Sequence, residues 1–209
     1  MALLAVKSIK GVREIRKISK QITLKKGIFN TMLSSCMEVY PYEAYGLIFG
    51  KFKKQREGEE VRFIYLVESC VPLQDTEKTY TEIYFSEKST EVIKQISEQN
   101  RLNFLGDYHS HTRYQKQMAL AELSKVDKQD FYQNKDLVSI VLAVNKLKYK
   151  RKGKNVLENV LFENQIQKKI SVFYSIHKNG EQYYKIDFCA YSYDPTTHKI
   201  GQISIRIVD

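Results

Sequence analysis

Apolar and polar positions along this chain follow two periods, and the switches between them predict its elements. Ile28, Met32, Cys36 and Val39 recur near helical spacing, which predicts a helix over residues 26–40. Residues 45–53 and 61–71 read as paired strands separated by a charged turn at 54–60. A second helix is predicted over 86–99, led by Ser86 and closed before Asn100. A short strand at 103–108, a long loop and a helix at 125–134 follow. The continuous apolar run at 137–144 predicts a central strand. Residues 171–177 and 182–193, rich in Tyr, Phe and Ile, predict a hairpin around Lys178-Asn179-Gly180, where Asn-Gly suits a type I′ turn. Near the start, Val6, Ile9, Val12, Ile15 and Ile18 recur every three residues among basic side chains. That pattern fits one amphipathic helix, or a helix leading into a strand at 21–24. The elements add up to an α/β chain with a mixed β-sheet flanked by helices. It comprises a basic extension over residues 1–20 and a single domain over 21–209.

Composition narrows the picture. With 209 residues the chain is long enough for one well-buried domain and short for two. No apolar run approaches the ~20 residues of a membrane helix. Met1 to Val6 is apolar, but its positive charge follows rather than precedes it, so it reads poorly as a signal peptide, and cytoplasm is the expected compartment. Cys36, Cys70 and Cys189 are widely spaced without a C-x-x-C, which argues against a disulfide framework or a structural zinc site. They read as packed, hydrophobe-like thiols.

The net charge of +10 gathers partly in residues 7–26 and partly in Lys146, Lys148, Lys150, Arg151, Lys152 and Lys154. Both clusters read as solvated surface. Attraction to an acidic partner or to nucleic acid is the alternative. Only Tyr149 interrupts the second cluster, so no base-stacking platform is indicated and nucleic acid is not the expected partner.

Candidate chemistry centres on His109-Ser110-His111, which ends the strand begun at residue 103. Residues i and i+2 of a strand share a face, so both imidazoles point the same way, as two ligands of one metal ion should. Zinc suits imidazole, and a catalytic zinc takes three protein ligands. Asp127 is the candidate third ligand. It lies three residues after Ser124 at a helix start, so the pair also reads as a plain helix cap. Glu43 stands between the first helix and the strand after it, and reads either as a general base or as a solvated loop residue. His177 and His198 read as structural or exposed.

Pro41, Glu43 and Gly46, then His109-Ser110-His111, then Ser124 and Asp127, stand in an order that resembles the JAMM (MPN+, JAB) metalloprotease family, in its prokaryotic type. That family pairs a glutamate in P-x-E-x-x-G with H-S-H-P and a later S-x-x-D. The resemblance spans about Thr23 to Val144. Two departures stand out. Residues 112–126 separate His111 from Asp127, a longer interval than the family's. At the usual spacing the chain offers Glu122 instead, but Ser124 and Asp127 together match the S-x-x-D. Thr112 takes the place of the proline. Extra residues within 113–122 would enlarge the loop over the site at little entropic cost.

The resemblance implies the JAMM/MPN fold, which is cytidine-deaminase-like. It also implies one zinc ion held by His109, His111 and Asp127, with Glu43 as general base and the Ser124 hydroxyl supporting the oxyanion. Ser110 is expected to orient the site rather than react. The absence of C-x-x-C separates the chain from the deaminases, and the absence of G-x-S-x-G from serine hydrolases. The implied activity is zinc-dependent hydrolysis of amide bonds at the C-terminus of ubiquitin-like proteins, by deconjugation or precursor processing. The expected partner is a ubiquitin-like protein or its conjugates. The alternatives are a non-catalytic interaction scaffold of MPN type and a nucleic-acid-associated relative.

Overall fold

A computed structural model describes residues 17–73, 76–78, 83–85, 87–113, 117–134, 137–148, 166–177, 181–194 and 197–209. In chain order the elements are β1 (Lys17–Lys25), α1 (Lys26–Val39), β2 (Tyr45–Glu57), β3 (Glu60–Pro72), β4 (Thr76–Lys78), β5 (Ile83–Phe85) and α2 (Glu87–Gln99). They continue with β6 (Asn103–Thr112), α3 (Lys125–Asn134), β7 (Val138–Leu147), β8 (Lys169–His177), β9 (Glu181–Asp194) and β10 (Lys199–Val208).

The main sheet runs β10-β1-β3-β2-β6-β7-β9-β8, and β10 also pairs with β9. That last pairing overturns the expectation of an α/β sheet flanked by helices: the chain is mostly strand, and seven strands close into a barrel. Closure depends on the length of β9. One of its edges pairs with β7. The other edge pairs with β8 over Glu181 to Cys189, then with β10 from Ala190 to Asp194. The ring joins β10 to β9 and leaves β8 as an outer strand paired with β9.

The core explains why the wall curls. Phe29, Met32, Leu33 and Cys36 of α1 are buried in one cluster with side chains from β1, β2, β3, β6, β7, β8, β9 and β10. Phe29 meets Phe188 with ring centroids 5.1 Å apart. Burying each large aliphatic or aromatic side chain contributes about 1.5–3 kcal/mol, so the side chains shared with α1 hold the strands around it. Along β7, Val138, Ile140, Leu142 and Val144 face this cluster, while Val141 and Ala143 belong to clusters on the opposite face.

Other boundaries differ locally. The expected turn at 54–60 is mostly strand, because its charged side chains project from a two-stranded ribbon into water, and only a tight turn at Gly58 (φ 61°) remains. The strand of the histidines extends to Thr112. Lys17 to Lys20 of the predicted basic extension begin β1; residues 1–16 lie outside the described residues, as do 149–165 of the second basic cluster and the predicted turn at 178–180. The cysteines are free thiols, with Cys36 and Cys189 buried. Among the described residues no helix is long and apolar enough to cross a membrane.

Candidate metal centre

A bulge sets the face on which the site lies. β2 and β6 shift register between Ile48 and Phe49, opposite Leu105 and Gly106. Gly106 adopts φ 145°, a region open essentially to glycine, and a Cβ there would sit 1.8 Å from the Val138 carbonyl oxygen. Leu105 and Tyr108 therefore both face α1, although they are three residues apart. From Tyr108 onward ordinary alternation resumes. Asp107, His109 and His111 then align with Ser139, Val141 and Ala143 on the face away from α1.

Ser124 and Asp127 form a reciprocal cap at the start of α3. The Asp127 amide donates to Ser124 Oγ at 3.1 Å, and the Ser124 amide donates to Asp127 Oδ2 at 2.6 Å. Phe131, one turn further, anchors this helix against Val141 and Leu123. The cap is realised, and the same carboxylate also faces both histidines. Asp127 Oδ2 lies 3.3 Å from His111 Nε2 and 3.6 Å from His109 Nε2. One ligand atom from each of the three residues lies within 4.8 Å of the others, so they form a group able to hold a metal ion.

The outward nitrogens are fixed by their partners. His109 Nδ1 meets Asp107 Oδ1 at 3.1 Å, and Ser139 Oγ donates to the same oxygen at 2.9 Å. His111 Nδ1 meets the Leu120 carbonyl at 3.0 Å. A carboxylate and a carbonyl only accept, so each Nδ1 must carry the proton. Both Nε2 atoms are left facing the Asp127 carboxylate. His109 Nε2 is buried without a hydrogen-bond partner, and 3.6 Å to Asp127 is too long to supply one. An orphaned buried nitrogen beside a second imidazole and a carboxylate fits a zinc ion's preferred donors.

Without a metal, the two carboxylates favour a proton on His109. Burial alone would lower the His109 pKa, but the Asp107 and Asp127 carboxylates outweigh it and hold it up at about 10. Burial would likewise raise Asp127, yet His109, His111 and Ser124 hold it well below the usual carboxylate range. This point of the fold attracts positive charge.

Glu43 stands beside the group. Burial raises its carboxyl above the ordinary value, His111 and His109 oppose that shift, Asp127 adds to it, and the Thr112 amide donates to it. Its placement follows from Ser110: the Ala44 amide donates to Ser110 Oγ at 2.8 Å, and the Ser110 amide donates to the Ala44 carbonyl at 2.9 Å. Gly46 admits the Tyr108 ring, which a Cβ would approach to 2.2 Å. Glu122 is exposed and stands outside the three-residue group. His198 is exposed, with Nδ1 2.7 Å from the Tyr193 hydroxyl.

Sequence reasoning missed Asp107, Ser139, Asn145 and the Leu120 carbonyl. Asp107 was within reach, since a carboxylate two residues before His109 on a strand shares its face. The others depend on contacts across the fold.

Among solved structures, the solution structure of protein DSY2949 from Desulfitobacterium hafniense aligns with 90% of this chain and 93% of its own, at 20% identity and a TM-score of 0.43. No curated protein matches. The profile of the prokaryotic homologs of the JAB domain, by contrast, matches residues 25–153, the stretch that carries Glu43, both histidines, Ser124 and Asp127. The chain belongs to the family of prokaryotic homologs of the JAB domain.

Proposed function

We propose that this protein is a zinc-dependent isopeptidase or peptidase that hydrolyses amide bonds at the C-terminus of ubiquitin-like proteins, in conjugates or precursors. The observation that carries the reading is the convergence of His109 Nε2, His111 Nε2 and the Asp127 carboxylate, with both Nδ1 atoms tied back. Family membership and this group fit a hydrolase. Zinc, when bound, supplies a Lewis acid that makes water acidic near neutrality. His109, His111 and Asp127 would hold it. Glu43, its proton affinity raised by burial, accepts a proton from the attacking water and passes it to the departing amine nitrogen. Ser124 Oγ accepts from the Asp127 amide, so its own hydrogen is available to donate to the developing oxyanion.

Zinc content of the purified protein, compared with Asp127→Ala and Glu122→Ala, tests the site. About one zinc per chain, lost with Asp127→Ala and kept with Glu122→Ala, is the expected result for a three-ligand site. Cleavage of a ubiquitin-like fusion would follow. A wild-type chain that takes no zinc even when metal is added would end the hydrolase reading.

A further inference from the structure

The two imidazoles of the candidate centre are supported in different ways. His109 leans on Asp107, a residue of its own strand that Ser139 of the adjacent strand holds. His111 leans on the Leu120 carbonyl, which belongs to the long segment between β6 and α3. A carbonyl on a free loop would be a poor support. This loop is fastened on both sides of Leu120.

Asn145, on β7 and 2% exposed, makes the first fastening. Its amide oxygen accepts from the Ala119 amide at 2.9 Å, and its amide nitrogen donates to the Ala119 carbonyl at 3.0 Å. The carboxamide thus imitates the backbone of a neighbouring strand. Tyr191, on β9, makes the second by donating its hydroxyl to the Ala121 carbonyl at 2.7 Å. Ala119 and Ala121 are buried against Ala143 and Cys189, whereas Met118 and Leu120 point their side chains toward solvent. Along this stretch the loop is a strut against the barrel wall, and the expectation of a simple enlargement over the site gives way to a structural part of it.

We propose that Asn145 is a positioning residue of the metal centre. By clasping Ala119 it sets the neighbouring Leu120 carbonyl, which holds the proton on His111 Nδ1 and turns Nε2 toward His109 and Asp127. The inference rests on the metal-site reading above. Asn145 touches neither ligand nor substrate and acts through two backbone units. A buried loop backbone needs hydrogen-bond partners in any case, so a purely structural role for Asn145 is the competing account, and the test must separate the two.

Cobalt(II) supplies a spectroscopic signature for the same donors. Full-length wild type, Asn145→Ala and the near-isosteric Asn145→Leu are loaded with cobalt, their visible absorption recorded, and the metal withdrawn with graded chelator. Asn145→Leu keeps the volume of the side chain but can neither accept from the Ala119 amide nor donate to the Ala119 carbonyl. It therefore tests the clasp should Asn145→Ala fail to fold. Partners that orient a metal-ligating histidine are worth roughly 10- to 100-fold in metal affinity. Both folded variants should lose affinity in that range and show an altered cobalt spectrum. A folded variant with wild-type affinity and spectrum, but a lower melting temperature, would overturn the proposal and leave Asn145 as a structural residue. Wild type that binds neither cobalt nor zinc would overturn the metal-site reading itself.

Discussion

Replacing Gly106 with alanine should disable the site from the opposite side of the strand. The magnitude follows from the bulge. At φ 145° an L side chain is strained, at a cost of about 1–3 kcal/mol. The added Cβ also cannot stay 1.8 Å from the Val138 carbonyl oxygen, a backbone atom within the β6–β7 pairing. Displacing that pairing endangers neighbouring bonds such as Leu137 N to Leu105 O, worth about 1 kcal/mol each. The sum is roughly 2–4 kcal/mol, which for a chain of this size lowers the melting temperature by about 5–15 °C. If the strand instead relaxes by losing its bulge, a one-residue slip would turn the histidines toward α1 and remove the metal group. Gly201→Ala is the control, since a Cβ there meets nothing within 4 Å. Thermal unfolding by circular dichroism, with cobalt binding alongside, reads both consequences. A Gly106→Ala protein that melts within about 2 °C of wild type, against the shift expected from backbone strain, and binds cobalt normally would refute the claim that this glycine sets the phase of the site.

Asp107→Asn keeps the shape of its side chain but weakens the support of His109, so chelator competition should show roughly 10- to 100-fold weaker zinc binding. Glu43→Gln should retain about one zinc per chain yet lose on the order of 10²- to 10⁴-fold in hydrolysis of a ubiquitin-like fusion, the usual worth of a general base; loss of the zinc as well would make Glu43 a ligand. Asp187 supplies the pH dependence. It is buried, which alone would raise its pKa, but Lys185, Ser171 and Lys169 outweigh burial and lower it. A folded pKa below the unfolded value of about 3.9 means that its stabilisation is present above that pH and fades as pH falls through the folded value. Wild type should therefore lose stability relative to Asp187→Asn below about pH 4, and parallel acid limbs in the two unfolding profiles would count against this.

The sequence made individual elements legible where the signal was local. The helix at 125–134 was delimited by its Ser124 and Asp127 cap, and the structure begins and ends α3 at the same residues. The first helix ends one residue earlier than expected. The candidate site was legible for the same reason, since two-residue spacing on a strand and a capped helix start are short-range features. Closure of the barrel was not, because it depends on β9 dividing one edge between β8 and β10. Even so, the alternation Ile203, Ile205 and Ile207, all buried, marked β10 as a strand that the sequence reading left unassigned. The choice of face for the histidines rests on the conformation of Gly106, and the supports of His111 come from residues far apart in sequence. Neither follows from a periodic pattern.

The arrangement around His109 bears on whether the chain acts on a bond or only presents a surface. Leaving a buried polar atom unpaired costs about 1–3 kcal/mol, and His109 Nε2 is such an atom. The fold places a second imidazole with ring centroid 5.1 Å away and a buried-side carboxylate beside it, then spends Asp107, Ser139 and the Leu120 carbonyl on turning both rings inward. An interaction scaffold gains nothing from that convergence: the group lies on the face away from α1, so the packed cluster around the helix does not require it. Apolar side chains at these positions would stabilise the same wall. Two imidazoles and a carboxylate turned together where the apolar core has no use for them are the pattern expected of a functional site, and this is why the hydrolase is proposed ahead of the scaffold.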